Sequence, residues 1–184
     1  MSPVQHTLIE TKLGWIGLAW SPSGIVRLHL PAADRAATER GLVKNLDSSE
    51  AETLPAFVAA AVGLVRRYAE GERVDFSGVP VALDGVDPMR RAMYAALRRV
   101  GHGETLTYGQ LAERAGFPGL ARDIGAAMGR NPVPLIIPCH RVLAAGGKIG
   151  GFSAPGGTTT KQRMLALENV TLGSPPPAQQ AFAF

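Results

Sequence analysis

The 184-residue chain holds one cysteine, in the stretch Pro138-Cys139-His140-Arg141-Val142, directly after the apolar run Leu135-Ile136-Ile137. An isolated cysteine is most often an inert small hydrophobe. Here a rigid proline precedes the thiol and a histidine follows it. A thiol of ordinary pKa, about 8.5, is mostly protonated at neutral pH, and a base that takes its proton yields the reactive thiolate. The apolar run predicts a buried strand with Cys139 on its end. Neighbouring side chains on a strand point to opposite faces, so a bridging water, not direct contact, would join Cys139 to His140.

A single cysteine excludes an internal disulfide, and no cysteine–histidine cluster at zinc-ligand spacing is present. A reducing, cytoplasmic setting is expected, without metal or cofactor. Met1 to Glu10 lacks the pattern of a secretion signal, and no apolar stretch approaches membrane-spanning length, so no membrane partner is expected. With 46% hydrophobic and 18% charged residues the composition is that of a globular protein. Charge divides unevenly. Residues 1–84 carry 8 Lys+Arg against 10 Asp+Glu, whereas residues 85–184 carry 11 against 5. A basic domain attracts polyanions, nucleic acid foremost, although a merely solvated basic surface would look the same.

The elements that must position the cysteine fall into two groups. Val4 to Thr11, Trp15 to Trp20 and Ile25 to Leu30 alternate as strands, and Glu50 to Gly71 has helical apolar spacing, which together predict an antiparallel sheet with one long helix on it. Phe76 to Leu83 reads as a further strand. The charge balance changes after it, which sets the boundary between an N-terminal α/β domain, 1–84, and a helix-rich C-terminal domain, 85–172. Asp87-Pro88 starts a helix carrying Met89, Met93, Ala96, Leu97 and Val100. Thr107 caps a short helix from Tyr108 to Ala115, and a second runs from about Gly119 to Gly129, the pattern of a helix-turn-helix. Val142-Leu143-Ala144 and Lys148 to Phe152 flank Ala145-Gly146-Gly147, predicting a hairpin wing. A last helix spans Lys161 to Glu168, and the proline-rich tail, 173–184, is expected to be disordered.

The second short helix, with Ala121, Arg122, Gly125, Ala126 and Met128, has one arginine and few side chains able to read base edges. Its small residues permit close approach to a surface, whether that surface is DNA or the protein's own core.

With these pieces in order the chain resembles the O(6)-alkylguanine-DNA alkyltransferases. The resemblance rests on Gly103-Glu104-Thr105-Leu106-Thr107-Tyr108, Ala121-Arg122, Arg130-Asn131-Pro132-Val133-Pro134, Pro138-Cys139-His140-Arg141-Val142 and Gly150-Gly151-Phe152-Ser153, and is loose before residue 80. It implies a ribonuclease H-like α/β domain followed by a winged helix-turn-helix domain. It further implies direct-reversal repair, in which the alkyl group of O(6)-alkylguanine, and of O(4)-alkylthymine, passes irreversibly to Cys139, once per protein. Attack at a saturated carbon needs a soft nucleophile and a supported leaving base, and the target must be flipped out of the duplex.

By the same resemblance, Cys139 is relayed through water to His140, which Glu168 orients. Tyr108 supports the leaving guanine at ring nitrogen 3, and Asn131 braces the cysteine turn. Arg122 replaces the flipped base, with Ala121, Gly125, Ala126, Thr107 and Arg130 along the minor groove of double-stranded DNA. Val142, Ser153, Phe152, Tyr108 and Met128 form the base pocket. A monomer is expected. Phe152 stands where many relatives have tyrosine, and the stretch 154–160 is longer than the common pattern. Three rivals remain: a non-catalytic sensor of alkylated bases, in which tryptophan replaces the cysteine; a cysteine hydrolase; and a plain winged-helix DNA-binding protein with a sequence preference.

Overall fold

The computed structural model describes residues 3–173; the expected disordered tail lies outside them from residue 174 onward. The chain divides into two compact units. One takes in the chain up to Gly85 together with Pro132–Ile136, and the other takes Val86–Asn131 and the chain from Ile137 on. The five residues Pro132–Ile136, expected in the second domain, therefore belong with the first unit.

The first unit is a four-stranded sheet. β1 (Val4–Thr11), β2 (Gly14–Ser21) and β3 (Gly24–His29) pair antiparallel in sequence order. α1 (Arg35–Val43) follows, and β4 (Ser48–Glu50) then joins the free edge of β1 in parallel, giving the order β3-β2-β1-β4. Five consecutive residues of β2, Ile16 to Trp20, are buried, so this strand is covered on both faces. Gly17 is one reason: a Cβ there would come within 2.8 Å of the Leu42 side chain of α1. α1 is absent from the sequence reading because it buries only Thr38 and Leu42, too few positions for a helical stripe. Its start is fixed instead by Asp34, whose carboxylate accepts from Ala37 N at 2.7 Å.

α2 (Ala56–Ala69) buries Val58, Ala61, Val62, Val65 and Tyr68 at helical spacing and packs on β1. It begins six residues later than expected, because Pro55 stands before its first turn and Ser48–Glu50 is already a strand. Phe76 to Leu83 is not a strand. Only Val81 forms a bridge, to Ile25, with Ile25 N donating to Pro80 O at 2.9 Å and Ala82 N to Ile25 O at 2.9 Å. Leu28 N donates to Pro132 O at 3.0 Å, attaching the segment before the cysteine to the β3 edge.

In the second unit α3 (Pro88–Leu97) starts at Asp87, whose side chain accepts from Arg90 N. β5 (Leu106–Thr107) leads into α4 (Tyr108–Arg114) through a reciprocal cap: Gln110 N donates to Thr107 Oγ1 at 3.2 Å and Thr107 N to Gln110 Oε1 at 2.8 Å. A short turn then gives α5 (Ala121–Met128), which buries Ile124 and Met128. The predicted hairpin does not form. β6 (Val142–Leu143) pairs in parallel with β5, Ala145–Gly147 is a 3-10 turn, and a single bond from Ala144 N to Lys148 O at 2.8 Å is what remains of the ladder. Gly146 and Gly147 take φ 72° and 73°, and the strand that would open the hairpin is instead paired with β5 through Val142 and Leu143. α6 (Gly157–Leu167) starts four residues before Lys161, the expected start, and ends on Glu168.

Candidate active site

Cys139 sits on a one-turn 3-10 helix, Cys139–Arg141, not at a strand end. Leu135 explains the difference. It takes φ 73°, the left-handed region, so the apolar run folds as a turn. Successive side chains of a 3-10 turn diverge by about 120°, so Cys139, His140 and Arg141 point three ways and do not alternate. Asn131 Nδ2 donates to Ile137 O at 2.8 Å, holding the chain two residues before the thiol.

The thiol is 6% exposed and faces a cavity of about 310 Å³ lined by Tyr108, Gly125, Met128, Gly129, Cys139, Gly151, Phe152 and Ser153. Burial pushes the Cys139 thiol up from its ordinary pKa, and the Asn131 side chain and the Lys161 charge act the other way. Burial likewise pushes the Tyr108 phenol up. The Tyr108 ring lies between two glycines: a Cβ on Gly125 would meet it at 3.7 Å and one on Gly150 at 3.4 Å.

His140 and Glu168 are wholly buried and bonded, Nε2 to Oε1 at 2.6 Å. Arg141 grips the same carboxylate with one edge of its guanidinium, Nε to Oε2 at 2.9 Å and Nη2 to Oε1 at 3.0 Å, and Nη1 donates to Val100 O at 2.6 Å. Gly103 N donates to Oε2 at 3.0 Å. Four donors thus satisfy two oxygens, and with His140 and Arg141 they hold the Glu168 carboxyl far below the usual range despite burial. Burial keeps His140 below its ordinary pKa, the Glu168 bond opposing it. An ionised carboxylate only accepts, so the proton of the neutral imidazole lies on Nε2 and the lone pair on Nδ1. The ensemble can store a neutral base beside a buried thiol and stabilise the imidazolium once it forms.

The other predicted residues separate into two sets. Arg122, Ala126 and Arg130 are exposed and Ala121 partly so, while Gly125, Met128, Phe152 and Ser153 line the cavity. Thr107 is a helix cap, its hydroxyl engaged by Gln110. Val142 does not line the cavity: it is fully buried, its N–H donates to Cys139 O, and its carbonyl accepts from Lys161. Arg141 and Lys161 were not picked out from sequence. The signal for Lys161 was available, since Lys161, Met164, Leu165 and Glu168 recur at helical spacing and place a lysine on the apolar face of the last helix.

A pocketed cysteine followed by a histidine in a buried His–Glu pair defines a cysteine-nucleophile site, and known proteins give it a family. The family model described as "6-O-methylguanine DNA methyltransferase, DNA binding domain" matches residues 88–170. A methylated-DNA–protein-cysteine methyltransferase of Mycolicibacterium paratuberculosis is 33% identical over 165 residues, spanning 90% of this chain and 92% of the relative. One from Rattus norvegicus is 32% identical, spanning 94% and 85%. The crystal structure of Mycobacterium tuberculosis OGT in complex with DNA superposes with a TM-score of 0.71 at 32% identity, covering 89% of this chain and 92% of that one. The chain belongs to the methylated-DNA–protein-cysteine methyltransferase family.

Proposed function

We propose that this protein repairs alkylated DNA by moving the alkyl group from O(6)-alkylguanine, and from O(4)-alkylthymine, to Cys139. The observation that carries this reading is the cysteine at the floor of a base-sized cavity with a neutral, carboxylate-held histidine next to it in the chain. The Cys139 proton passes through water to His140 Nδ1, and Glu168 stabilises the resulting imidazolium. Sγ attacks the alkyl carbon, the S–C bond forms, and the C–O bond breaks with its electron pair passing to guanine. Tyr108, kept protonated by burial, donates to ring nitrogen 3 of the departing base. The product is a thioether that no side chain reverses, so each molecule acts once.

The flipped base reaches the cavity from the minor groove, with the exposed face of α5 toward DNA: Arg122 fills the gap in the stack, and Ala121, Gly125 and Ala126 allow close approach. Gly125 lines the cavity from the helix whose Arg122 is exposed, which supports a role for α5 in handing the flipped base to the cavity. The architecture we assign is a ribonuclease H-like first unit and a helix-turn-helix second unit in which a 3-10 turn at Ala145–Gly147 stands where a hairpin wing was expected, acting as a cytoplasmic monomer. Three antiparallel strands, a helix and a parallel fourth strand support the former, and α4-turn-α5 supports the latter.

Mass spectrometry after incubation with an oligonucleotide containing O(6)-methylguanine tests the reading. One methyl group on Cys139, never more than one per protein, is the expected result. An unmodified protein that binds the lesion would replace it with a damage sensor.

A further inference from the structure

Tyr94, on α3, is fully buried, and the reaction proposed above makes no use of it. A buried phenol is costly unless its hydroxyl finds an acceptor. Here Oη donates to Ala127 O, in the last turn of α5, at 3.4 Å. Arg90, one turn earlier on α3, hydrogen-bonds the same phenol and is held in turn by Asp87, to whose carboxylate Arg90 Nε donates. A guanidinium only donates, so Arg90 occupies a phenol lone pair and leaves the O–H to point at α5. Burial pushes the phenol up from its ordinary pKa, Arg90 opposing and the Cys139 charge adding, so the hydroxyl keeps its proton.

The accepting carbonyl sits where the site is assembled. The last carbonyls of a helix lack the partners that its interior supplies. Ala127 O takes Arg130 N at 3.1 Å besides Tyr94, and Met128 O takes Asn131 N at 3.0 Å. Met128 and Gly129 line the cavity, and Asn131 braces the cysteine turn through Ile137 O. Tyr94 itself does not line the cavity; it stands behind this stretch.

We propose that Tyr94 is a positioning residue for alkyl transfer: its hydroxyl, oriented by Arg90, fixes the C-terminal end of α5 and so sets the Met128–Gly129 wall and the Asn131 brace around the reacting carbon. The inference rests on the reading of Cys139 as alkyl acceptor. Phenylalanine would keep the ring and drop the bond, whereas tryptophan would keep a donor in its indole N–H.

The test compares wild type with Tyr94→Phe, Tyr94→Trp and Arg90→Met. Single-turnover methyl transfer is measured from a saturating O(6)-methylguanine oligonucleotide and from the free O(6)-methylguanine base. Iodoacetamide labelling of Cys139 and hydrogen exchange of the peptides are measured without substrate. In Tyr94→Phe, transfer should fall about tenfold on both substrates while labelling stays within about twofold. Exchange across residues 128–131 should quicken by about tenfold, with α4 unchanged. Tyr94→Trp should recover most of both losses, and Arg90→Met should show the same pattern more weakly. Full transfer or unchanged exchange in Tyr94→Phe would overturn the proposal, as would labelling that falls in step with transfer, which would move the defect to the thiol. Should Tyr94→Phe not fold, Arg90→Met makes the comparison. Wild type that accepts no methyl group would sink the alkyl-acceptor reading, while faster exchange in Tyr94→Phe would still show Tyr94 fixing the end of α5.

Discussion

At the scale of single residues, the economy of the site lies in Glu168. Its two oxygens take four hydrogen bonds from His140, Arg141 and Gly103, the first three fully buried and the Gly103 bond partly so. Removing the charge while leaving its partners buried is costly, so Glu168→Gln should destabilise the protein by about 3 kcal/mol, read by chemical denaturation. The same group sets an acid limit. His140 is held below its ordinary 6.5, so the unfolded chain binds the proton first and stability falls as pH drops below about 6.5. Glu168 is depressed as well, so its contribution is intact above about 4.5 and is lost as pH falls further. A denaturant midpoint that declines between pH 7 and 5, then more steeply below 4.5, is expected; a flat profile would contradict the buried neutral imidazole. Cys139→Ser should abolish methyl transfer while leaving lesion affinity within a few-fold, measured by mass spectrometry and gel shift.

At the scale of elements, α4 and α5 carry the division of labour. The Thr107–Gln110 cap fixes the start of α4, and with it Tyr108 at the cavity. Thr107→Ala should cost about 1 kcal/mol in a thermal or denaturant melt and slow transfer by misplacing Tyr108. Arg122 is exposed on the helix that lines the cavity through Gly125 and Met128. Arg122→Ala should therefore lower transfer from duplex DNA far more than transfer from a free O(6)-alkylguanine base, because only the duplex has a stack to fill. Equal losses on both substrates would remove Arg122 from base flipping.

At the scale of the whole molecule, the net charge of +4 is carried by the half that holds the cysteine. Phosphate contacts from that half should give weak DNA binding that declines linearly in log affinity against log salt, with little sequence preference. A strong sequence-specific footprint would oppose it. The matched lengths of the relatives cover both units, so this prediction concerns a two-unit protein and not an isolated DNA-binding module.

Much of this was legible in the chain itself because it is local. The strands β1 to β3, the Asp87-Pro88 and Thr107 helix starts, and the cysteine motif each depend on a few neighbouring residues whose side-chain period or capping chemistry declares itself. Tertiary structure decided what depends on partners far along the chain. Leu135 turns left-handed in a segment that packs with the first unit, so the expected strand became a turn and Cys139 came to lie on a 3-10 helix. Val142 found Leu106 as its parallel partner and not the residues after Gly147, so the expected hairpin gave way. Arg141 and Lys161 look like ordinary cations in one dimension; only folding shows their charges buried on Glu168 and on the walls of the cavity, because burial and pairing are properties of the assembled core.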